Sequence, residues 1–154
     1  MKKSLSVIFL CLAISIVTTG QKIVKGGKFN PEKIKSELTE KYKSYNGRLE
    51  DQTVELWDTY FLNSPNIGNI HKDKPEIGWE TFHKGTIEFV NSKLKGELRL
   101  DNLEIYPISS NTAWVKGRMV ITIKDQSYKD IFYDSLVKTV DGWRVVVSVV
   151  NPEL

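Results

Sequence analysis

The chain of 154 residues carries 22 basic and 19 acidic side chains, two histidines and one cysteine, Cys11. A unit of this size buries about two thirds of the surface it exposes when unfolded, so one domain can stand on its own core. Lys2, Lys3 and Cys11 fall in a segment read below as removable. Without them 22 − 2 = 20 bases face 19 acids, about +1 net, which lacks a nucleic-acid footprint and excludes disulfides, a thiol nucleophile and cysteine-ligated metal.

Met1 is followed by Lys2 and Lys3, an apolar run from Leu5 to Val17, and then Thr18, Thr19 and Gly20. That order is a bacterial-type secretory signal peptide cut near Gly20. The apolar run is too short to span a membrane, and Phe9 and Leu10 are too bulky for a lipid-attachment site at Cys11. The expectation is export to the periplasm or beyond, with no membrane contact after cleavage. Residues 21–29, with three lysines and Gly26-Gly27, read as a flexible spacer. The domain is then 30–154.

Asn30-Pro31 is a helix start, a side-chain cap followed by a residue whose fixed φ suits the first turn. Ile34, Leu38, Tyr42 and Tyr45 keep helical spacing, and Asn46-Gly47 offers a stop. A second helix is predicted from Leu49 to Phe61, with Thr53, Leu56, Trp57 and Tyr60 on its stripe. From Asn63 to Gly78 turn residues dominate, with short extended pieces at Ile67 to His71 and around Ile77. Asp73, between Lys72 and Lys74, reads as a solvated turn. A third helix is predicted from Trp79 to Leu94, closed by Gly96.

Helical periodicity ends at Glu97. Strands follow at Leu98 to Ile108, Ala113 to Lys124, Tyr128 to Thr139 and Trp143 to Val150, with turns at Ser109 to Asn111, Asp125-Gln126 and Asp141-Gly142. Helices first and a meander afterwards make an α+β fold with the helices on one face of the sheet. In the second of these strands Ala113, Val115, Gly117, Met119 and Ile121 alternate with Trp114, Lys116, Arg118 and Thr122. The first set faces the helices. The second faces outward, where Trp114 and Arg118 mark a sheet face able to form a homodimer.

The element order, the Gly78 helix entry after Pro75, Thr112-Ala113-Trp114-Val115 and Asp141-Gly142-Trp143-Arg144 together resemble the nuclear transport factor 2-like superfamily, in particular its SnoaL-like branch, over roughly residues 30–151. The resemblance implies a cone-shaped half-barrel: three helices on a curved antiparallel four-strand meander plus a short hairpin, enclosing a cavity. It also implies frequent homodimerisation through the sheet. Its functions range from ketosteroid isomerisation, cyclisation and epoxide hydrolysis to ligand binding and assembly, so the fold does not fix the job.

Isomerase-like relatives carry a carboxylate base before the third helix, because proton abstraction beside a carbonyl needs a base and donors for the enolate oxygen. The matching position falls near Asn69, which is no base; His71 and Asp73 are the nearest titratable groups. Relatives also carry histidines four and six residues after the final tryptophan, pointing into the cone. Here these places are Val147 and Val149, an apolar wall.

The candidate ligand-binding residues are therefore Trp57, Tyr60, Trp79, Tyr106, Val147 and Val149. Weak catalytic candidates are His71 or Asp134 as base and Tyr60 or Tyr133 as donor; Glu104 is a further polar group able to reach a cavity, and His83 reads as a boundary residue. No phosphate loop, metal-ligand cluster or nucleophile elbow occurs, so no cofactor or metal is expected. The reading preferred is a non-catalytic exported domain whose cone binds a small hydrophobic molecule, supports a homodimer, or both. An isomerase, cyclase or hydrolase is the first alternative. An inhibitor or immunity-type interaction module with a patch around Trp114 is the second.

Overall fold

The computed structural model describes residues 21–72 and 74–153. The leader read at 1–20, with Cys11, lies outside the described residues, as do the Asp73 turn and Leu154. Helix α1 (Pro31–Lys43) starts as its sequence demands, with the Asn30 side chain accepting the Lys33 amide at 3.1 Å and Pro31 in the first turn. Ile34, Leu38 and Tyr42 form its buried stripe.

The second helix is shorter than its periodicity predicts. A two-residue strand β1 (Gly47–Arg48) and a 3-10 turn (Leu49–Asp51) come first, and helix α2 is only Val54–Asp58. Thr53 restarts the helix by accepting the Leu56 amide at 3.1 Å, the competition between hydroxyl and backbone that makes threonine a cap. Beyond Thr59 the backbone leaves the helix to pair with the last strand, Tyr60 and Leu62 each sharing a 2.8–2.9 Å bond with Val145.

The hairpin β2 (Gly68–His71) and β3 (Lys74–Ile77) leads to α3 (Trp79–Asn91) through Gly78, whose φ of 92° would strain any side chain. The meander is β4 (Glu97–Pro107), β5 (Thr112–Ile123), β6 (Gln126–Thr139) and β7 (Gly142–Pro152). The order across the sheet is β1-β4-β5-β6-β7-β2-β3, with β2 parallel to β7 and the other neighbours antiparallel. The architecture is α+β, three helices on a curled, unclosed sheet. The last two turns sit one residue earlier than predicted, at Lys124-Asp125 and Val140-Asp141.

Alternation along β5 is as the sequence predicts: Ala113 and Val115 are buried against the helices and Trp114 is exposed. Gly117 lies on the helix side, where a Cβ would come within 2.3 Å of the Phe132 ring. Two bulges break the alternation elsewhere. In β4 the register shifts between Asp101 and Glu104, so Glu104 and Tyr106 pair with Lys116 and Trp114 on the outer face. In β7 Leu136 pairs with Val145 and Ser135 with Val147, which leaves Val146 as the extra residue. Past it, Ser148 and Val150 face the helices, opposite Asp134 and Phe132, and Val147 and Val149 face outward.

Residues 21–29, expected as a free spacer, are tied to the sheet along the first seven. Ile23 bridges Thr139, the Val24 amide donates to the Lys138 carbonyl at 2.9 Å, and the Gly27 amide donates to Ser110 Oγ at 3.0 Å.

Candidate functional site

Between α2, α3 and the sheet lies a cavity in two adjoining lobes of about 430 and 250 Å³. Trp57, Asn69, His71, Glu76, Phe82 and Met119 border both. The larger lobe continues to Phe89, Leu98 and Ile121, and the smaller to Tyr60, Phe132, Ser148 and Val150. Each wall has a local cause. Phe82 and Phe89 stand seven residues apart on one face of α3, Asn69 and His71 share a face of β2 by alternation, and the Thr53 cap sets the phase of Trp57.

The polar groups at this cavity are few. The Asn69 amide donates to Glu76 at 3.0 Å, and His71 Nε2 stands 4.0 Å from the Asp130 carboxylate with half its side chain in solvent. Trp57 contributes something the sequence did not announce: its indole N–H is buried without a hydrogen-bond partner. Buried tryptophans ordinarily satisfy that donor, and leaving it bare costs about 1–3 kcal/mol. Among the described residues no group of three or more histidine, cysteine or acidic side chains is placed to hold a metal ion.

Deeper in the core Asp134, 2% exposed, takes the hydroxyls of Tyr42 and Tyr60 on a single oxygen, Oδ2, at 2.5 and 2.6 Å. Its Oδ1 has no partner at strict bonding geometry, although the hydroxyl of Ser148, directly across on β7, favours the charged form as a nearby hydrogen-bond donor. Burial pushes the carboxyl above its ordinary value, against Ser148, the two tyrosines and Lys41. Burial and the Asp134 charge push both tyrosines well above theirs. Asp134 borders neither lobe. Tyr60 stands between the two, its ring on the smaller lobe and its hydroxyl committed to Asp134.

The structure thus brings Trp57, Tyr60 and His71 to the cavity and places Asp134 behind it. Trp79 is elsewhere, stacked on His83 at 5.3 Å and tilted against Phe82 at 5.9 Å; His83 in turn bonds Asp58 at 2.8 Å. Tyr106, Tyr133, Val147 and Val149 do not line the cone. They line a groove of about 600 Å³ on the outer sheet face, together with Glu104, Trp114 and Lys116. The two bulges are the physical reason for Tyr106, Val147 and Val149; Tyr133 is outward by simple alternation from Asp134. Arg118, on the same face, is held by Asp101 in a two-pronged bond at 2.9 and 3.2 Å. Of the groups not foreseen, Tyr42 is legible only as one more residue of a helical stripe, and Ser148 only as the polar residue interrupting a valine run.

No protein-family model matches the sequence, and no curated protein does. Solved structures do match. A nuclear transport factor 2-like protein of unknown function from Shewanella oneidensis is 17% identical, with 78% of this chain and 97% of that one covered at a TM-score of 0.64. A candidate dehydratase of the same type from Streptomyces avermitilis is 12% identical, covering 81% and 99% at 0.65. This is the nuclear transport factor 2-like fold. A nuclear transport factor 2-like superfamily protein from Salmonella enterica matches at 18% identity, 80% and 91% coverage and a TM-score of 0.58. In nuclear transport factor 2-like terms the two lobes are the interior of the cone and the 600 Å³ groove is the back of its sheet.

Proposed function

We propose that this protein is a non-catalytic binding domain whose cone takes a small hydrophobic molecule carrying one hydrogen-bond acceptor. The observation that carries the reading is Trp57, an aromatic wall of both lobes with a buried, unpartnered indole N–H. A largely apolar pocket with few convergent polar groups is the usual form of a small-molecule site, and a ligand carbonyl or ether would satisfy the covered orphan donor once the wall beside it moves aside. Against acid–base chemistry stand the position of Asp134 outside both lobes and the commitment of the Tyr60 hydroxyl to it. The leader at 1–20 supports placing this binding outside the cytoplasm.

The test uses the neutral fluorophore 6-propionyl-2-dimethylaminonaphthalene, whose ketone oxygen supplies the acceptor. It should bind saturably, quench tryptophan fluorescence and lose most of its affinity in Met119→Trp, which adds an indole where both lobes meet. Failure to bind, or equal binding by Met119→Trp, overturns the reading.

A second reading is favoured by the outer face, where Tyr106, Trp114 and Tyr133 are 50, 57 and 48% exposed on neighbouring strands. That patch supports a homodimer built back to back through the sheet.

A further inference from the structure

A separate depression of about 490 Å³ lies between the second half of α1, Thr59 and the β6–β7 turn. It shares no lining residue with either lobe of the cone. Three cations border it, Lys41, Lys138 and Arg144, and two acids, Glu37 and Asp141. One pair cancels: Glu37 accepts from Lys138 at 2.6 Å and from the Trp143 indole at 2.8 Å. The other two cations have no such partner.

Arg144 is only 7% exposed, and a guanidinium cannot shed its charge. Its Nη1 donates to the Trp143 carbonyl at 3.0 Å, while its Nε is buried with no acceptor. No carboxylate is paired with it among the described residues. Lys41 Nζ donates to Tyr45 Oη and the Thr59 carbonyl, both at 3.0 Å, which leaves one of three donors and no ion pair. Fully buried charged side chains are almost always paired, because an uncompensated one is costly. Arg144 is such a charge, and with the half-buried Lys41 also lacking an ion pair on the rim of the same open depression, the two make an incomplete site.

We propose that this depression is an oxyanion-binding site, in which Arg144 and Lys41 together hold a carboxylate, phosphate or sulfate group of a small molecule. The planar guanidinium fork suits two oxygens of such a group and the ammonium a third. The groups facing Lys41 are Glu37 from α1, Tyr45 just after it, Tyr60 after α2, Asp134 and Lys138 from β6, Asp141 from the turn and Arg144 from β7, with the ammonium 5.0 and 5.2 Å from the Tyr45 and Tyr60 ring centres. Burial and then Arg144 bring Lys41 down to about 7, with Asp134 acting the other way. A bound dianion would restore its proton.

Sodium sulfate, ionised throughout the neutral range, is the probe, added against sodium chloride at constant ionic strength while amide NMR shifts are recorded. Shifts should saturate and cluster around Lys41, Thr59 and Arg144. Affinity should fall several-fold between about pH 6 and about pH 9, on either side of the Lys41 value of about 7. Arg144→Met should abolish binding. Lys41→Met should weaken it and remove its pH dependence, which keeps the test open where the Arg144 variant does not fold. Sodium acetate in a parallel titration tells a planar from a tetrahedral preference. Shifts that spread over the surface without saturating, or a pH dependence that survives in Lys41→Met, overturn the proposal.

Discussion

Asp134 is a carboxylate with two tyrosine hydroxyls on one oxygen and none on the other. A bond to a charged acceptor is worth about 1.5–3 kcal/mol net, so Tyr42→Phe and Tyr60→Phe should each lower stability by about that much in urea unfolding. Sharing one acceptor, they should be non-additive. The pH profile carries the same signature. The native carboxyl is raised above 3.8, so between that value and its native one the folded state binds more protons than the unfolded state. Stability should therefore fall as pH rises through that window, and Asp134→Asn should flatten the fall. Lys41 works in the opposite sense. Its native value of about 7 lies below 10.5, so the unfolded chain holds the extra proton and stability should climb from about pH 7 towards pH 10.5. Lys41→Met should lose that climb, as read by thermal unfolding across the range.

At the scale of elements, what the sequence made legible and what it hid divide along one physical line. Rules with local causes held: Asn30-Pro31 began α1, and alternation placed Trp114 outside and Val115 inside. Failures came where a neighbouring strand decided. Nothing in the run from Val145 to Val150 distinguishes the residue that bulges, because Val146 and its neighbours on both sides, Val145 and Val147, are the same residue. Val146 becomes the extra residue through pairing with β6, and every side chain after it changes face. The cone therefore receives Ser148 and Val150 in place of Val147 and Val149, and the valine wall says nothing about chemistry inside it. Single cysteines introduced in a Cys11→Ser background report the phase directly. At dilutions where the protein is monomeric, Val147, 37% exposed in the single chain, should react readily with an aqueous thiol reagent once changed to cysteine, and Ser148→Cys, at a site 3% exposed, should be protected until the protein unfolds. The reverse order would restore simple alternation and remove the bulge.

Among the described residues, an apolar concavity lies on each face of one sheet, and the two ask for different occupants. The cone lies between the helices and the sheet and is sized for a small molecule. The outer groove is flanked by exposed Tyr106, Trp114, Tyr133 and Val147 and crossed by the Lys116–Glu104 ion pair at 2.8 Å. An exposed apolar patch rimmed by polar groups marks an interaction surface, and a two-fold axis through this one would cover it with its own copy. Sedimentation equilibrium should then find a dimer, and Trp114→Glu with Tyr133→Lys should yield a monomer. Surface substitutions of this kind move intrinsic stability by only about 0.5 kcal/mol, so any larger fall in melting temperature measures the lost association. Because the two concavities share no lining residue, the monomeric variant should bind 6-propionyl-2-dimethylaminonaphthalene as the parent does, and Met119→Trp should remain dimeric. A wild-type monomer would leave the aromatic face without its second copy. Loss of probe binding in the Trp114 and Tyr133 variant would instead place the small-molecule site on the outer groove and empty the cone of its proposed role.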